Sequence, residues 1–320
     1  MALTIQAWAE NRGYQVAWGS QACITEAKED LWGRIQRGEF DPDFCASELD
    51  GLAKLESLPT GMTVVMVALP RPAHRLGFDL AEVGGGRLDA ILPPTYLRYQ
   101  ATIEEVRQDL ERNGLPGARV EHLHGPCKAL ATRIGLARYG RNNLAYVEGM
   151  GSYLQLCAFL TDAPLPEGSR SEDPALLPQC QDCERCSKAC PTGAITRERV
   201  LLRGERCLTH INEGSRDWPA WASNQRHHSL IGCLLCQKAC PANASLPTED
   251  TGLCFSARET AALAAWPEPL PPSLEDGVRR KLAWLGQPSL YPVLGRNLAA
   301  LLSARSRASS VPAPSGSFPA

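Results

Sequence analysis

Two stretches in the first 160 residues are apolar at nearly every position. Residues 62–69 are rich in β-branched side chains and stop at Pro70, and residues 154–160 are similarly apolar. A short segment that is apolar on both faces is typical of a strand in the centre of a covered sheet. The pattern therefore predicts two central strands. A third, shorter strand is predicted where apolar residues alternate with polar ones, at Tyr14, Val16 and Trp18.

Apolar residues recur at helical spacing in four further stretches, residues 3–12, 24–37, 97–113 and about 128–138. In the third stretch Ile103, Val106 and Leu110 share one face, and Gly114 follows as a stop signal. The leading part of the chain is therefore predicted to mix helices with a sheet.

Composition divides the rest of the chain. Residues 163–179 are rich in proline, serine and acidic residues, which is typical of a linker. Prolines separate short helical stretches over residues 255–303, and the last residues have the composition of a disordered tail. We predict an α+β chain with domains at 1–170 and 171–250, a short helical region at 251–303, and a disordered tail at 304–320.

Composition and charge exclude several classes of protein. The 320 residues carry a net charge of −2, which gives no overall attraction to nucleic acid. No apolar run reaches the roughly 18–20 residues of a membrane helix. Charged and polar residues interrupt the N-terminus before any sustained apolar run, which argues against a secretory signal. A cytoplasmic protein without a membrane partner is expected.

Cysteine is the unusual component. The chain contains 13 cysteines, and nine of them lie between Cys180 and Cys254. An odd number, clustered in this way, argues against a disulfide framework and favours metal ligation in a reducing compartment. The other four, and Cys254, are predicted to be small buried or spare thiols. These five residues are Cys23, Cys45, Cys127, Cys157 and Cys254.

The clustered cysteines form two related runs. The first has two gaps of two residues, then a gap of three and a proline, as in bacterial ferredoxins that bind two [4Fe–4S] clusters. The second repeats this pattern without its leading cysteine. Paired Cys-x2-Cys knuckles also bind zinc, but the x3 gap and the repeated Cys-Pro are not features of such knuckles. The two runs consist of Cys180, Cys183, Cys186 and Cys190, and of Cys233, Cys236 and Cys240.

Two cubane clusters need eight thiolates, and the runs supply seven. Cys207 lies between the runs and is the natural eighth ligand. The fourth cysteine of such a run ligates the other cluster. One cluster is therefore predicted on Cys180, Cys183, Cys186 and Cys240. The other is predicted on Cys190, Cys207, Cys233 and Cys236.

A series of motifs between residues 115 and 245 resembles the epoxyqueuosine reductase family. The motifs are the sequence GLARYGRNN at 135–143, Gly151-Ser152-Tyr153, Leu160-Thr161-Asp162 and both cysteine runs. The resemblance implies a reductase in which electrons pass through two [4Fe–4S] clusters to cobalamin, held on an α/β domain beside a ferredoxin-like domain. It also implies epoxyqueuosine in tRNA as substrate, and a low-potential electron donor of the ferredoxin or flavodoxin type.

The resemblance further implies which residues lie along the corrin. Glycines there would let the backbone approach the flat ring closely. The implied residues are Gly140, Arg141, Asn142, Asn143, Ala145, Gly151, Ser152, Leu156 and Cys157, with Thr209 and Leu234 facing the ring from the ferredoxin-like side.

Reductive removal of an oxygen also needs a proton donor. The family's acid corresponds, without gaps, to Glu121, and the neighbouring His122 and His124 are rival donors because imidazoles titrate near neutrality. Two departures from the family concern the substrate. Arg141 replaces a lysine, and the segment between Cys207 and Cys233 carries tryptophans in place of the pattern that contacts tRNA.

Two alternatives follow from these departures. The chain could remove a leaving group from another small molecule by the same chemistry. It could instead be an electron carrier of the ferredoxin type, with a leading domain that binds no corrin and only docks a partner.

Overall fold

The computed structural model describes residues 2–39, 61–168, 176–197, 202–214, 217–222, 227–243 and 247–310. Cys45 lies outside these ranges. The helices are α1 (Ala2–Glu10), α2 (Ala22–Gln36), α3 (Tyr99–Asp109), α4 (Cys127–Arg133), α5 (Arg185–Ala189), α6 (Leu208–Glu213), α7 (Leu235–Lys238), α8 (Ala257–Ala264), α9 (Pro272–Leu285) and α10 (Tyr291–Ser310). The strands are β1 (Gln15–Ser20), β2 (Thr63–Pro70), β3 (Ala73–Asp79), β4 (Arg87–Leu92), β5 (Val120–His122), β6 (Arg138–Tyr139), β7 (Ala145–Tyr146), β8 (Leu154–Thr161) and β9 (Thr248–Phe255).

The chain forms two compact units, and each is assembled from three separate stretches. The first unit comprises Met1–His74, Pro93–Cys207 and Leu234–Glu249. The second comprises Arg75–Leu92, Leu208–Cys233 and Asp250–Ala320. One border between the units falls after Glu249.

The first unit contains a four-stranded sheet in the order β1-β2-β8-β5. The two predicted central strands are confirmed, and they pair with each other from Thr63↔Thr161 to Pro70↔Leu154. The β1–β2, β2–β8 and β5–β8 pairings are all antiparallel. This unit is thus α+β, and the description of its domain as α/β, which implies parallel strands, is corrected. Its central strands are apolar on both faces because helices cover both faces.

Successive side chains of the central strands enter different cores. Val64 and Met66 pack with residues of α2 and α4 on one face of the sheet. Val65 and Phe159 pack with residues of α1 and α3 on the other. The result is three layers, with helices on both faces of the sheet. Because successive side chains of a strand point to opposite faces, each central strand contributes to both helix–sheet interfaces.

The helix predicted over 128–138 ends early, at Arg133. Gly135 has φ +83°, a left-handed conformation that stops a helix. The chain then forms the hairpin β6–β7, with Tyr139 opposite Ala145. This hairpin carries five of the eleven residues that were predicted to lie along the corrin.

The second unit contains most of the sheet β4-β3-β9, together with α8, α9 and α10. Phe78 and Phe255 stack there with ring centroids 4.7 Å apart. Helix α10 continues to Ser310, beyond residue 303, where the sequence predicted the tail to begin. Residues 311–320 lie outside the described ranges. Across the described part of the chain, no helix combines the length and apolarity needed to cross a bilayer.

Candidate metal centre

The first cysteine loop, residues 180–190, gathers three thiols of the predicted first ligand set. A short 3-10 turn, Pro178–Cys180, leads into it, and α5 carries Cys186. Burial raises the pKa of Cys180 and of Cys186, and each is raised further by neighbouring sulfurs. For Cys180 these neighbours are Cys240 and Cys183. For Cys186 they are Cys180 and Cys183.

The four cysteines predicted to hold one cluster therefore act on one another electrostatically within the first unit. Like charges raise the pKa of a thiol only at close range. Bound iron would take up the thiolate charge that these sulfurs otherwise impose on one another. Among the described residues, no group of three or more histidine, cysteine or acidic side chains is arranged to hold a metal ion.

Arg141 reaches the first cysteine loop from the tip of the β6–β7 hairpin. Its Nε donates to the carbonyl of Cys183 at 3.1 Å, and its Nη2 donates to the carbonyls of Cys180 and Gln181, the latter at 3.0 Å. Its Nη1 donates to the carbonyl of Arg197 at 3.2 Å. The loop is thus held by one buried guanidinium.

The second cysteine loop, residues 236–243, is held by neutral amides. Asn243 accepts from the backbone N–H of Ser152 at 2.8 Å, and its Nδ2 donates to Ser152 Oγ and to the carbonyl of Gln237, both at 2.9 Å. Gln237 Nε2 donates to Ser152 Oγ at 3.1 Å. All three side chains are buried. The predicted corrin residue Ser152 is therefore fastened to the loop that carries Cys240.

The predicted second ligand set is divided between the two units. Cys190, Cys207 and Cys236 belong to the first unit, and Cys233 belongs to the second. Burial works to raise the pKa of Cys190, but hydrogen bonds from Thr192 and from nearby backbone N–H groups outweigh it and lower the pKa. A thiol whose pKa is lowered is prepared to act as a thiolate ligand. The sulfur of Cys233 lies 3.4 Å from His228 Nε2.

Several residues predicted to lie along the corrin have their side chains engaged within the protein. A Cβ on Gly140 would lie 2.4 Å from the ring of Tyr146, and Asn142 Nδ2 donates to the Tyr146 hydroxyl at 3.0 Å. Cys157 is buried in the core with α1 and α3. Ala145 and Leu156 are buried in the opposite core.

Asn143 is the predicted corrin residue with a polar atom still to satisfy. Its φ is +59°, and its buried Oδ1 has no hydrogen-bond partner within the described ranges. Gly151 also has a left-handed φ, +56°. Leu234 is buried in the first unit, whereas Thr209 lies on α6 in the second. The fit to a corrin thus rests on the hairpin backbone and on Asn143.

The three candidate proton donors lie on and after the edge strand β5. Glu121 is about half exposed, and its carboxylate lies 3.3 Å from the guanidinium of Arg119. The rings of His122 and His124 have centroids 4.0 Å apart. Burial lowers the pKa of His122, and the charge of His124 lowers it further. The lowered pKa keeps His122 neutral at neutral pH.

Sequence reasoning missed the residues that support the cysteine loops. Tyr146, Gln237 and Asn243 contact the predicted site, yet no motif marks them. Burial raises the pKa of Tyr146, and a hydrogen bond to Cys240 raises it further. His74 Nδ1 and Gln155 Oε1 are further buried polar atoms with no hydrogen-bond partner in the part of the chain that the structure describes. Such atoms are visible only once the fold is known.

Comparison with known proteins connects this geometry to a family. Residues 179–243 match the family model of the 4Fe-4S double cluster binding domain. The epoxyqueuosine reductase of Staphylococcus aureus is 26% identical over 201 residues, which is 60% of this chain and 51% of that protein. The epoxyqueuosine reductase of a Synechococcus species is 36% identical over 116 residues, covering 36% and 34% of the two chains. The chain thus spans about half the length of the Staphylococcus aureus relative and about a third of the length of the Synechococcus relative.

Solved structures share the fold. A crystal structure of selenomethionine-labelled epoxyqueuosine reductase matches 97% of this chain and 83% of its own, with a TM-score of 0.67 and 18% identity. A second, of epoxyqueuosine reductase with an epoxyqueuosine-modified tRNA stem loop, covers 97% and 82% with a TM-score of 0.64 and 18% identity. These matches show that the chain has the fold of these epoxyqueuosine reductases, and the double-cluster domain and the order of the motifs add a similarity in sequence to that family.

Proposed function

We propose that the chain is a cytoplasmic, iron–sulfur and cobalamin-dependent reductase that converts epoxyqueuosine to queuosine in tRNA. The observation that carries this proposal is the match of residues 179–243, with both cysteine runs, to the 4Fe-4S double cluster binding domain, in a chain that also bears the family's Gly-Arg-Asn turn. Relatives named epoxyqueuosine reductase, and a neighbour solved with a modified tRNA stem loop, support the substrate.

The eight predicted cysteines would hold the two clusters, in the sets that the crossing rule defines. Bound clusters would supply single electrons from a low-potential ferredoxin or flavodoxin, and bound cobalamin would supply a cobalt centre that accepts them. The residues around the loops exclude water from the sulfurs, since Cys180 and Cys186 are buried.

The corrin would lie against the β6–β7 hairpin. Asn143 offers its unpartnered buried Oδ1, and the left-handed backbone at Asn143 and Gly151 brings main-chain groups to the surface of the turn. Side chains already engaged elsewhere, such as Asn142 and Ser152, would act by shaping the hairpin.

Glu121 is the proposed proton donor to the leaving oxygen. Glu121→Gln removes the acidic proton while it keeps the shape of the side chain, so turnover should fall at least about 100-fold. Iron, sulfide and cobalamin contents should equal those of wild type. Glu148→Gln, at another exposed glutamate, is the matched control and should retain full activity. If Glu121→Gln turns over at the wild-type rate, the acid lies elsewhere, and His124→Ala and His122→Ala are tested next.

Two experiments test the whole proposal. The purified chain, reconstituted with iron, sulfide and cobalamin, should hold about eight iron atoms and about eight sulfides, together with one corrin. A strain that accumulates epoxyqueuosine should make queuosine when it expresses the chain. A protein that keeps its clusters but no corrin at equimolar cobalamin would be an electron carrier, and the reductase proposal would fail.

One observation favours a second candidate, a reductase for another small molecule. Trp218 lies in the segment where the family's tRNA-contacting pattern is replaced. Its ring centroid lies 4.4 Å from that of His227, and the guanidinium of Arg296 lies 5.4 Å from the same ring. A tryptophan packed on both is not free to stack on a base. Uptake of clusters and corrin without complementation would favour this candidate.

A further inference from the structure

We infer that Arg141 is a positioning residue of the first iron–sulfur cluster. Its guanidinium holds the backbone of the first cysteine loop in ligating shape, and its buried positive charge favours the reduced cluster. This inference rests on the proposed function, because it requires a cluster on Cys180, Cys183, Cys186 and Cys240.

The positioning role follows from the hydrogen bonds of the side chain. Residues 181–184 form no helix or strand, so the loop must take its shape from other contacts. Arg141 supplies four of them, to three carbonyls inside the loop and one at Arg197. A guanidinium suits this task because its donors are fixed in one planar fork, whereas a lysine ammonium is a single flexible point.

The backbone of Arg141 acts on the same loop. Its main-chain N–H hydrogen-bonds to the sulfur of Cys180. Leu177, which leads into the loop, donates its own N–H to the carbonyl of Tyr139 at 2.9 Å. The hairpin is thus also joined to the chain that leads into the loop at Tyr139, two residues before Arg141.

The role in reduction follows from charge and burial. The side chain is 6% exposed, and its hydrogen bonds go to neutral carbonyls. Within the described ranges it forms no ion pair with a carboxylate. A buried cation without an anion is costly unless a negative group lies close to it. A cubane with four thiolate ligands is anionic and becomes more so when it gains an electron, so a nearby buried cation raises its potential.

The family resemblance predicted a different position for this residue, along the corrin. The guanidinium of Arg141 is already engaged with the backbone, because its Nε, Nη1 and Nη2 each donate to a carbonyl. The structure therefore assigns the side chain to the cluster.

The test compares the reconstituted full-length chain with three variants. Arg141→Gln removes the charge and the fork, and Arg141→Lys keeps the charge but loses the fork. Arg185→Gln is the matched control, because Arg185 is exposed in the same loop and solvent screens its charge. The measurements are iron and sulfide content, the rate of iron loss to a chelator, and redox titration of the clusters followed by electron paramagnetic resonance.

In Arg141→Gln, the ratio of reduced to oxidised first cluster at a fixed potential should fall about tenfold, equivalent to a shift of about 59 mV for a one-electron couple. Iron loss should be several-fold faster. Arg141→Lys should keep the wild-type ratio within about twofold but lose iron faster. Arg185→Gln should match wild type in both measurements.

The outcomes distinguish a failure of this inference from a failure of the proposed function on which it rests. If the wild-type chain takes up no cluster, the proposed function fails and the inference fails with it. If wild type is loaded but Arg141→Gln has the same ratio and the same rate of iron loss, only the inference fails. If Arg141→Gln does not fold by circular dichroism, Arg141→Lys decides, and a wild-type rate of iron loss in that variant overturns the positioning role.

Discussion

The two cysteine loops carry nearly the same motif, but the protein holds them in different ways. The first is gathered by a single buried cation, Arg141, which donates to carbonyls of the loop. The second is gathered by neutral side chains, with Asn243 and Gln237 bonded to Ser152. The spacing of a motif thus specifies the ligands, whereas residues remote in sequence specify the charge around them. Loops with one sequence pattern can therefore hold clusters of different potential.

The sharpest challenge to this comparison is Cys240, which belongs to the second run in the chain but lies among the sulfurs of the first. Cys240→Ser should remove one whole cluster, so that iron falls from about eight to about four atoms per chain. Cys254→Ser is the matched control, a free and partly exposed thiol that should leave the iron content unchanged. Unchanged iron in Cys240→Ser would show that Cys240 is not a ligand of either cluster.

The hydrogen bonds of Asn243 and Gln237 to Ser152, which hold the second loop, should contribute measurably to the free energy of unfolding. Asn243→Ala removes three hydrogen bonds and leaves the buried N–H of Ser152 without its partner. The free energy of unfolding should drop by about 2–4 kcal/mol, measured by urea denaturation of the cluster-free chain. Asn113→Ala, at an exposed asparagine that bonds only to the nearby Asp109, should cost less than about 1 kcal/mol. Equal losses of unfolding free energy in the two variants would mean that the hydrogen bonds of Asn243 do not hold the loop.

The two runs should also respond differently to acid. The segment before Cys233 contains His227, whose Nε2–H donates to the carbonyl of Asn297 at 3.0 Å. Burial lowers the pKa of His227 to about 4, so the folded state binds fewer protons than the unfolded state between about pH 6.5 and pH 4. The stability from neutral His227 is complete above pH 6.5 and is lost as the pH falls to 4, by at most about 3 kcal/mol.

His227→Gln is the test, because glutamine keeps a donor for Asn297 but does not titrate. Urea denaturation of this variant should lose less stability than wild type between pH 6.5 and pH 4. The first loop is held by hydrogen bonds from a guanidinium to backbone carbonyls, so its contacts should persist over this range. If both proteins lose the same stability in acid, the loss is caused by carboxylates of the same unit, such as Glu259 in its ion pair with Lys281.

The parts of the fold that follow from local pattern were predictable. Strands β2 and β8 could be predicted because nearly every position is apolar, and α1, α2 and α3 because apolar residues recur on one face at helical spacing. Strand β9 was missed because most of its residues are exposed or only partly buried, which removes the apolar signal. The helix predicted to end at Arg138 was too long. Gly135 adopts a left-handed conformation that ends the helix, and the spacing of apolar residues carries no sign of it.

The same distinction applies to the candidate site. The cysteine ligands could be predicted because four or three of them recur at short, fixed spacing. Their supports could not, because each acts over a long separation in sequence. Arg141 precedes the carbonyls it holds by about 40 residues, and Ser152 precedes Asn243 by 91. No local pattern encodes such a contact, and only the folded chain brings the partners together.

The chain passes between its two compact units at five positions, after His74, Leu92, Cys207, Cys233 and Glu249. Neither unit is complete until the stretch beyond residue 233 or 249 has been synthesised. Folding must therefore close long loops before either core is satisfied, which predicts a slow folding reaction with high contact order. No single cut in the gene can separate the units, so a truncation or a crossover within residues 75–249 damages both of them at once.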